Sequence, residues 1–221
     1  MSRTSNWIAG ALLSAAAAAG PTAPALAHPH VFIEARTKIL YDKENFTGVE
    51  HRWTFDEFYT QTAIEGLDVN KDGVYDRQEL AELAKVNIEG LKEFAYFTYP
   101  KLAGKDVAFG EVTDYWLEHK DGALTLVFTL PFAAQVPANA PDFKLGVADP
   151  TFFIGFDWAK EGAVSFSDNA PKTCKFTMGS AEPQQGTPPS DDQALRGAFA
   201  QQFGGGMMAP DRTVSIICPK G

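Results

Sequence analysis

Between Asp68 and Glu79 the oxygen-bearing side chains fall at the spacing that a hard cation demands. Asp68, Asn70, Asp72 and Asp76 occupy positions 1, 3, 5 and 9 of a twelve-residue EF-hand loop, and Glu79 closes it at position 12. Gly73 stands at position 6, where the chain must turn sharply, and Val74 at position 7 offers its backbone carbonyl. A hard cation takes six to eight oxygens at about 2.4 Å, and a bidentate Glu79 favours Ca²⁺ over the smaller, octahedral Mg²⁺. The pattern therefore predicts calcium binding.

A second set of chelating groups depends on how the chain is processed. Arg3 is the only charged residue before His28, Trp7 to Gly20 is apolar or small, and Ala25-Leu26-Ala27 offers an A-x-A cleavage site, so residues 1–27 read as a secretory signal peptide. Cleavage after Ala27 would give His28 a free amine. That amine and the two imidazoles of His28 and His30, which share one face of an extended strand about 7 Å apart, could hold Ni²⁺, Co²⁺, Cu²⁺ or Zn²⁺. Pro29 lacks the amide nitrogen that a square-planar amino-terminal Cu/Ni motif deprotonates, which excludes that geometry. The alternative is that both histidines are merely solvated. His51, placed opposite Thr37 by the expected hairpin register, lies far along its strand from His30, and His119 beside Asp121-Gly122 reads as a surface residue.

Other chemistry finds few residues to work with. The chain holds four histidines, and it has neither a G-x-S-x-G elbow, an H-E-x-x-H helix nor a phosphate-cradling glycine loop, so it reads as a non-enzyme. Asp56 and Glu57, adjacent at a helix start, diverge in direction and serve better as first-turn charges than as an acid/base pair. A net charge of −9 with scattered Lys and Arg argues against nucleic acid as a partner. Metal ions are more natural partners. Cys174 and Cys218 are the only cysteines, and an even pair in an exported chain predicts a disulfide.

The elements that must position these groups follow from periodicity. Val31–Tyr41 and Thr47–Phe55 alternate as strands, joined by a five-residue loop from Asp42 to Phe46. Helical spacing predicts Phe55–Leu67 and Arg77–Tyr96, ended by Pro100, so that the loop sits in a helix-loop-helix over about 55–96. Strands are then expected at 107–109, 112–119, 124–130, 143–148, 152–158, 164–167, 173–176 and 213–218, with Asp121-Gly122 as a tight hairpin turn. Residues 179–210, rich in Pro, Gln, Gly and Met, read as a flexible loop with a short helix at Ala194–Phe203. With 45% hydrophobic and 12% aromatic residues, 28–221 should form a single α+β domain, a mostly antiparallel β-scaffold carrying the inserted helix-loop-helix.

Several short motifs carry a wider likeness: His28-Pro29-His30-Val31, Trp53-Thr54-Phe55-Asp56-Glu57-Phe58-Tyr59, the Asp68–Glu79 loop, Thr113-Asp114-Tyr115, Asp149-Pro150-Thr151-Phe152-Phe153 and Cys218-Pro219. In this order they resemble an uncharacterised family of bacterial exported proteins described as the periplasmic component of an uncharacterised ABC-type transport system. The resemblance implies a periplasmic location and a link to metal handling, with an inner-membrane metal permease or ABC transporter as partner; no second apolar segment is long enough to span a membrane. The Lys-Asp-Gly-x-x-Asp core also resembles the loops of lanmodulin, which implies a lanthanide as the alternative to Ca²⁺. Two functions remain in view: a metal-binding accessory of a metal-ion transport system, or a calcium-stabilised scaffold.

Overall fold

The computed structural model describes residues 29–151, 153–179 and 213–219. The expected signal peptide, His28 and all but the first residue of the 179–210 loop, with its short helix, lie outside them. Strand β1 (Val31–Asp42) shows why a sheet forms: Ile33, Ala35, Thr37 and Ile39 are buried, while Glu34, Arg36 and Lys38 face out between them. These outward charges pair, Arg36 with Glu34 and Lys38 with Glu50. Strand β2 (Asn45–Phe55) runs antiparallel to β1 and sets Thr37 opposite His51, as the register predicts. The connection is tighter than the five-residue loop expected. Lys43 and Glu44, at φ 45° and 70°, form a two-residue turn, and a bulge at Leu40/Tyr41 pairs Tyr41 with Phe46 rather than Thr47.

The free edge of β2 takes β6 (Ala123–Pro137), which pairs with β5 (Tyr115–Lys120) across Asp121 and Gly122, both at positive φ. At Gly48 a side chain is forbidden, because an added Cβ would sit 2.5 Å from the Leu130 carbonyl oxygen on β6. The other edge of β1 takes β8 (Ile154–Trp158) along its first half and β9 (Val164–Phe166) along its second, both parallel. A second, antiparallel sheet comprises β3 (Thr98–Leu102), β4 (Lys105–Asp106), β7 (Phe143–Val147), β10 (Lys175–Met178) and β11 (Thr213–Ile217), in the order β10-β11-β7-β3-β4. Rings join the sheets in one core: Phe143 lies 5.4 Å from Phe46 and 5.8 Å from Phe132, and Phe97 lies 5.8 Å from Phe156.

The α+β expectation with an inserted helix-loop-helix is overturned. Two sheets dominate, and α-helix among the described residues is limited to α1 (Glu57–Ala63) and α2 (Ala81–Lys92). The first helix stops short of Leu67, with Gly66 at φ 78° soon after. Residues 77–80 form a turn, in which Ala81 N–H reaches back only to the Gln78 carbonyl, so α2 starts four residues later than Arg77. Its end comes early because Ala95, Tyr96 and Phe97 take left-handed φ of 51°, 54° and 46°. Apolar spacing carries no information about backbone hand, so the helical pattern ran on through them. Pro100, expected to end the helix, lies inside β3 at a position that β4 does not reach.

Cys174 and Cys218 are joined by a disulfide, which ties the segment before β10 to the end of β11. Replacing Cys218 by Ser should lower the urea-unfolding free energy by about 2–4 kcal/mol, since the loop closed in the unfolded chain is long. Identical midpoints for oxidised wild type and variant would contradict this.

Candidate metal centre

Both flanks of the Asp68–Glu79 loop are fixed to the β-scaffold. Asp56 caps α1 by accepting from Tyr59 N–H at 2.9 Å, and its other oxygen accepts from Phe32 N–H on β1 at 2.7 Å. The pair read as first-turn charges thus includes a cap that also orients the helix against the sheet. Thr60 is buried and its hydroxyl accepts from Leu124 N–H on β6. Across the loop, Leu80, Ala84 and Ile88 recur at four-residue spacing and are buried, holding α2 against β5. Tyr59 O–H donates to Asn87, so the two helices also touch directly.

Between these anchors the loop's acidic groups are held by its own backbone. Asp68 accepts from Asp72 N–H at 3.1 Å and from Gly73 N–H at 3.0 Å. Asn70 Oδ1 accepts from Asp72 N–H and Asp72 Oδ1 from Val74 N–H. Asp76 Oδ1 receives the N–H groups of Gln78 and Glu79 at 2.7 and 2.9 Å. Glu79 links the ends: one oxygen accepts from Val69 and Asn70, the other from Asp76. Lys71 at φ 60° and Gly73 at φ 79° supply the left-handed bends that wrap the chain inward.

The bonds to Asp68, Asp72, Asp76 and Glu79 are charge-assisted, and each carboxylate, with about four acceptor directions, keeps some for another donor or a cation. Among the described residues no three His, Cys, Asp or Glu side chains converge as a ready-made metal cluster. That holds for the four carboxylates of this loop too: they share one short segment with the Asn70 amide and the Val74 carbonyl but are not gathered about a common point. Six hard oxygens within one short loop fit Ca²⁺, and also a lanthanide, better than a soft ion.

Two contacts that the sequence reading missed fasten the loop to β5. Tyr75 meets His119 edge-on at 5.0 Å, so His119 is half-buried rather than a plain surface residue. The Arg77 guanidinium lies 4.5 Å from the centre of the Trp116 ring. An aromatic at position 8 and a cation at position 10 of the loop were the available signals.

The histidines separate. His30 is exposed, its N–H donates to the Phe153 carbonyl at 2.8 Å, and its ring lies 4.9 Å from the Phe153 ring. Asp149 shapes that contact by accepting from Thr151 and Ile154 N–H, and Ile154 pairs with Val31 at the start of β1. His51 is fully buried between Trp53 and Phe128. Its Nδ1 lies 2.8 Å from the Thr37 hydroxyl and its Nε2 lies 3.1 Å from that of Thr98. It is a core group and not a ligand.

A family described as "Protein of unknown function (DUF1007)" matches residues 13–205. An "Uncharacterized protein" of Haemophilus influenzae is 27% identical over 142 residues, covering 64% of this chain and 68% of its own length. A second relative, the "Uncharacterized 15.5 kDa protein in trpE 3'region" of Spirochaeta aurantia, is 33% identical over 98 residues, 44% of this chain and 69% of that protein. The helix anchors, the Asp149 segment and the Asp68–Glu79 loop all lie within the span of the family match, and the chain belongs to the DUF1007 family.

Proposed function

We propose that this chain is a periplasmic metal-binding protein that holds Ca²⁺, or a lanthanide in its place, in the Asp68–Glu79 loop. It acts as an accessory component of a metal-ion transport system, exported through a cleaved signal peptide. The observation that carries the reading is the closure of the loop by Glu79, whose two oxygens take N–H donors from both ends. Asp68, Asn70, Asp72, Asp76 and Glu79 would hold the ion through side-chain oxygens and Val74 through its carbonyl, and the ion would supply charge neutralisation. His28 and His30 at the processed terminus would present Ni²⁺, Co²⁺, Cu²⁺ or Zn²⁺ to an inner-membrane permease or ABC transporter.

A second reading, a calcium-stabilised scaffold without a transport role, is favoured by the Tyr75–His119 and Arg77–Trp116 contacts. Through them a metal in the loop would brace β5. Elemental analysis of protein purified from its own periplasm separates the two. The transport reading predicts calcium together with a stoichiometric transition metal, and calcium alone would replace it with the scaffold reading. The terminus is tested separately. Protein beginning at His28 should bind Cu²⁺ or Ni²⁺ more tightly than the same protein with an added Gly-Ser or with His30→Ala, and equal affinities would make both histidines ordinary solvated residues.

A further inference from the structure

A cleft of about 340 Å³ opens between the start of α2 and β5, directly beside the loop. Its floor is Leu117 and Ala84, both buried, and its walls carry Arg77, Lys85, Tyr115 and Trp116. Ala81 and Lys85 share one helix face, and the small Ala81 side chain leaves the space that a longer residue would fill. Among the described residues neither Arg77 nor Lys85 has an ion-pair partner, which is true of most other cations among them as well; what sets these two apart is that both line one cleft. Glu82 also lines the cleft and is its one acidic side chain.

Stacking on Trp116 holds the Arg77 guanidinium in place. The stack covers one face of the group and leaves the N–H donors along its edge, the fork that a carboxylate meets bidentately. Lys85 supplies a second point charge further along the helix. The volume lies at the small end of the range for small-molecule sites.

We infer that this cleft binds a small dicarboxylate, one carboxylate on Arg77 and the other on Lys85. Aromatic walls and two separated cations suit a short carbon chain with an acid at each end, and Glu82 disfavours a more highly charged anion. Arg77 also lies between Asp76 and Glu79, whose charge a cation in the loop would neutralise, so metal and dicarboxylate should bind with positive coupling. The coupling rests on the calcium reading, and the cleft itself does not.

The test is a titration of the full chain with succinate in metal-stripped buffer, followed by the NMR signals of the Trp116 indole. A saturable shift is expected, with affinity at least about tenfold weaker in Arg77→Gln and in Lys85→Gln, the loss of one charge-assisted contact each. Lys43→Gln, in the distant β1–β2 turn, should bind as wild type does. Shifts that do not saturate, or equal affinity in wild type and both variants, would overturn the inference. A capped Glu-Glu peptide that saturates the site where succinate does not would overturn the small-acid assignment. Repeating the titration with saturating Ca²⁺ should tighten succinate binding several-fold. A calcium effect that is absent while succinate still binds would remove the coupling alone.

Discussion

Acidification from pH 6.5 towards 4 should cost this protein roughly 3 kcal/mol of stability through His51 alone. The hydrogen bonds fix its state. The Thr98 hydroxyl lies 2.7 Å from the Tyr96 carbonyl, which can only accept, so the single hydroxyl proton of Thr98 goes there. His51 Nε2, 3.1 Å from the same hydroxyl oxygen, must then donate, and Nδ1 accepts from Thr37. A second ring proton would place a charge between the rings of Trp53 and Phe128 with no carboxylate partner. Burial accordingly pushes the imidazole down from 6.5 to about 3.

The sign follows from proton uptake. The unfolded chain protonates His51 near pH 6.5 and the folded one only near 3, so the contribution is complete above 6.5 and is lost at about 1.4 kcal/mol per unit as pH falls between them. Urea midpoints for wild type and His51→Gln measure it. The variant should be weaker at neutral pH, where Thr37 and Thr98 lose their partner, and the gap should narrow on acidification. Parallel pH profiles would show that His51 protonates freely in the folded protein.

The same network explains where the sequence was readable. Alternation in β2 puts Val49, His51, Trp53 and Phe55 on one face, and the hairpin register alone set Thr37 against His51. The third partner was hidden, because Thr98 arrives through three left-handed residues at about 1–2 kcal/mol each, a cost that burial of Tyr96 and Phe97 offsets. No pattern of apolar residues announces such a turn. The Asp68–Glu79 pattern could be read as an expectation because its spacing is local, with every expected ligand within twelve residues. Its setting could not. The flanking helices shortened once tertiary contacts decided the matter, Thr60 on β6 at one end and Leu80 in the core at the other. Fold class failed for a related reason: strand β3 finds its partner β7 far along the chain, and Pro100 disguised β3 itself.

Calcium at a hundredfold excess over its dissociation constant should stabilise the full chain by about 2.7 kcal/mol, because an ion that binds only the folded state acts by mass action. Glu79→Gln should abolish most of that gain. The substitution removes the charge and one of two equivalent oxygens at the residue that closes the loop, and it leaves the N–H groups of Val69, Asn70 and Asp76 with one neutral acceptor. Asn70→Ala should act more mildly, because it deletes a neutral ligand and keeps all four carboxylates. Thermal melts with and without Ca²⁺ give both values. A calcium-induced shift unchanged in Glu79→Gln would place the ion elsewhere.

Calorimetric titration of the metal-stripped chain with Ca²⁺ measures the central claim directly. The loop geometry predicts one ion per chain, saturating at or below millimolar concentration, with binding lost in Glu79→Gln and kept in His30→Ala, since oxygen donors and imidazoles select different ions. No heat of binding and no rise in melting temperature at millimolar Ca²⁺ would contradict the account.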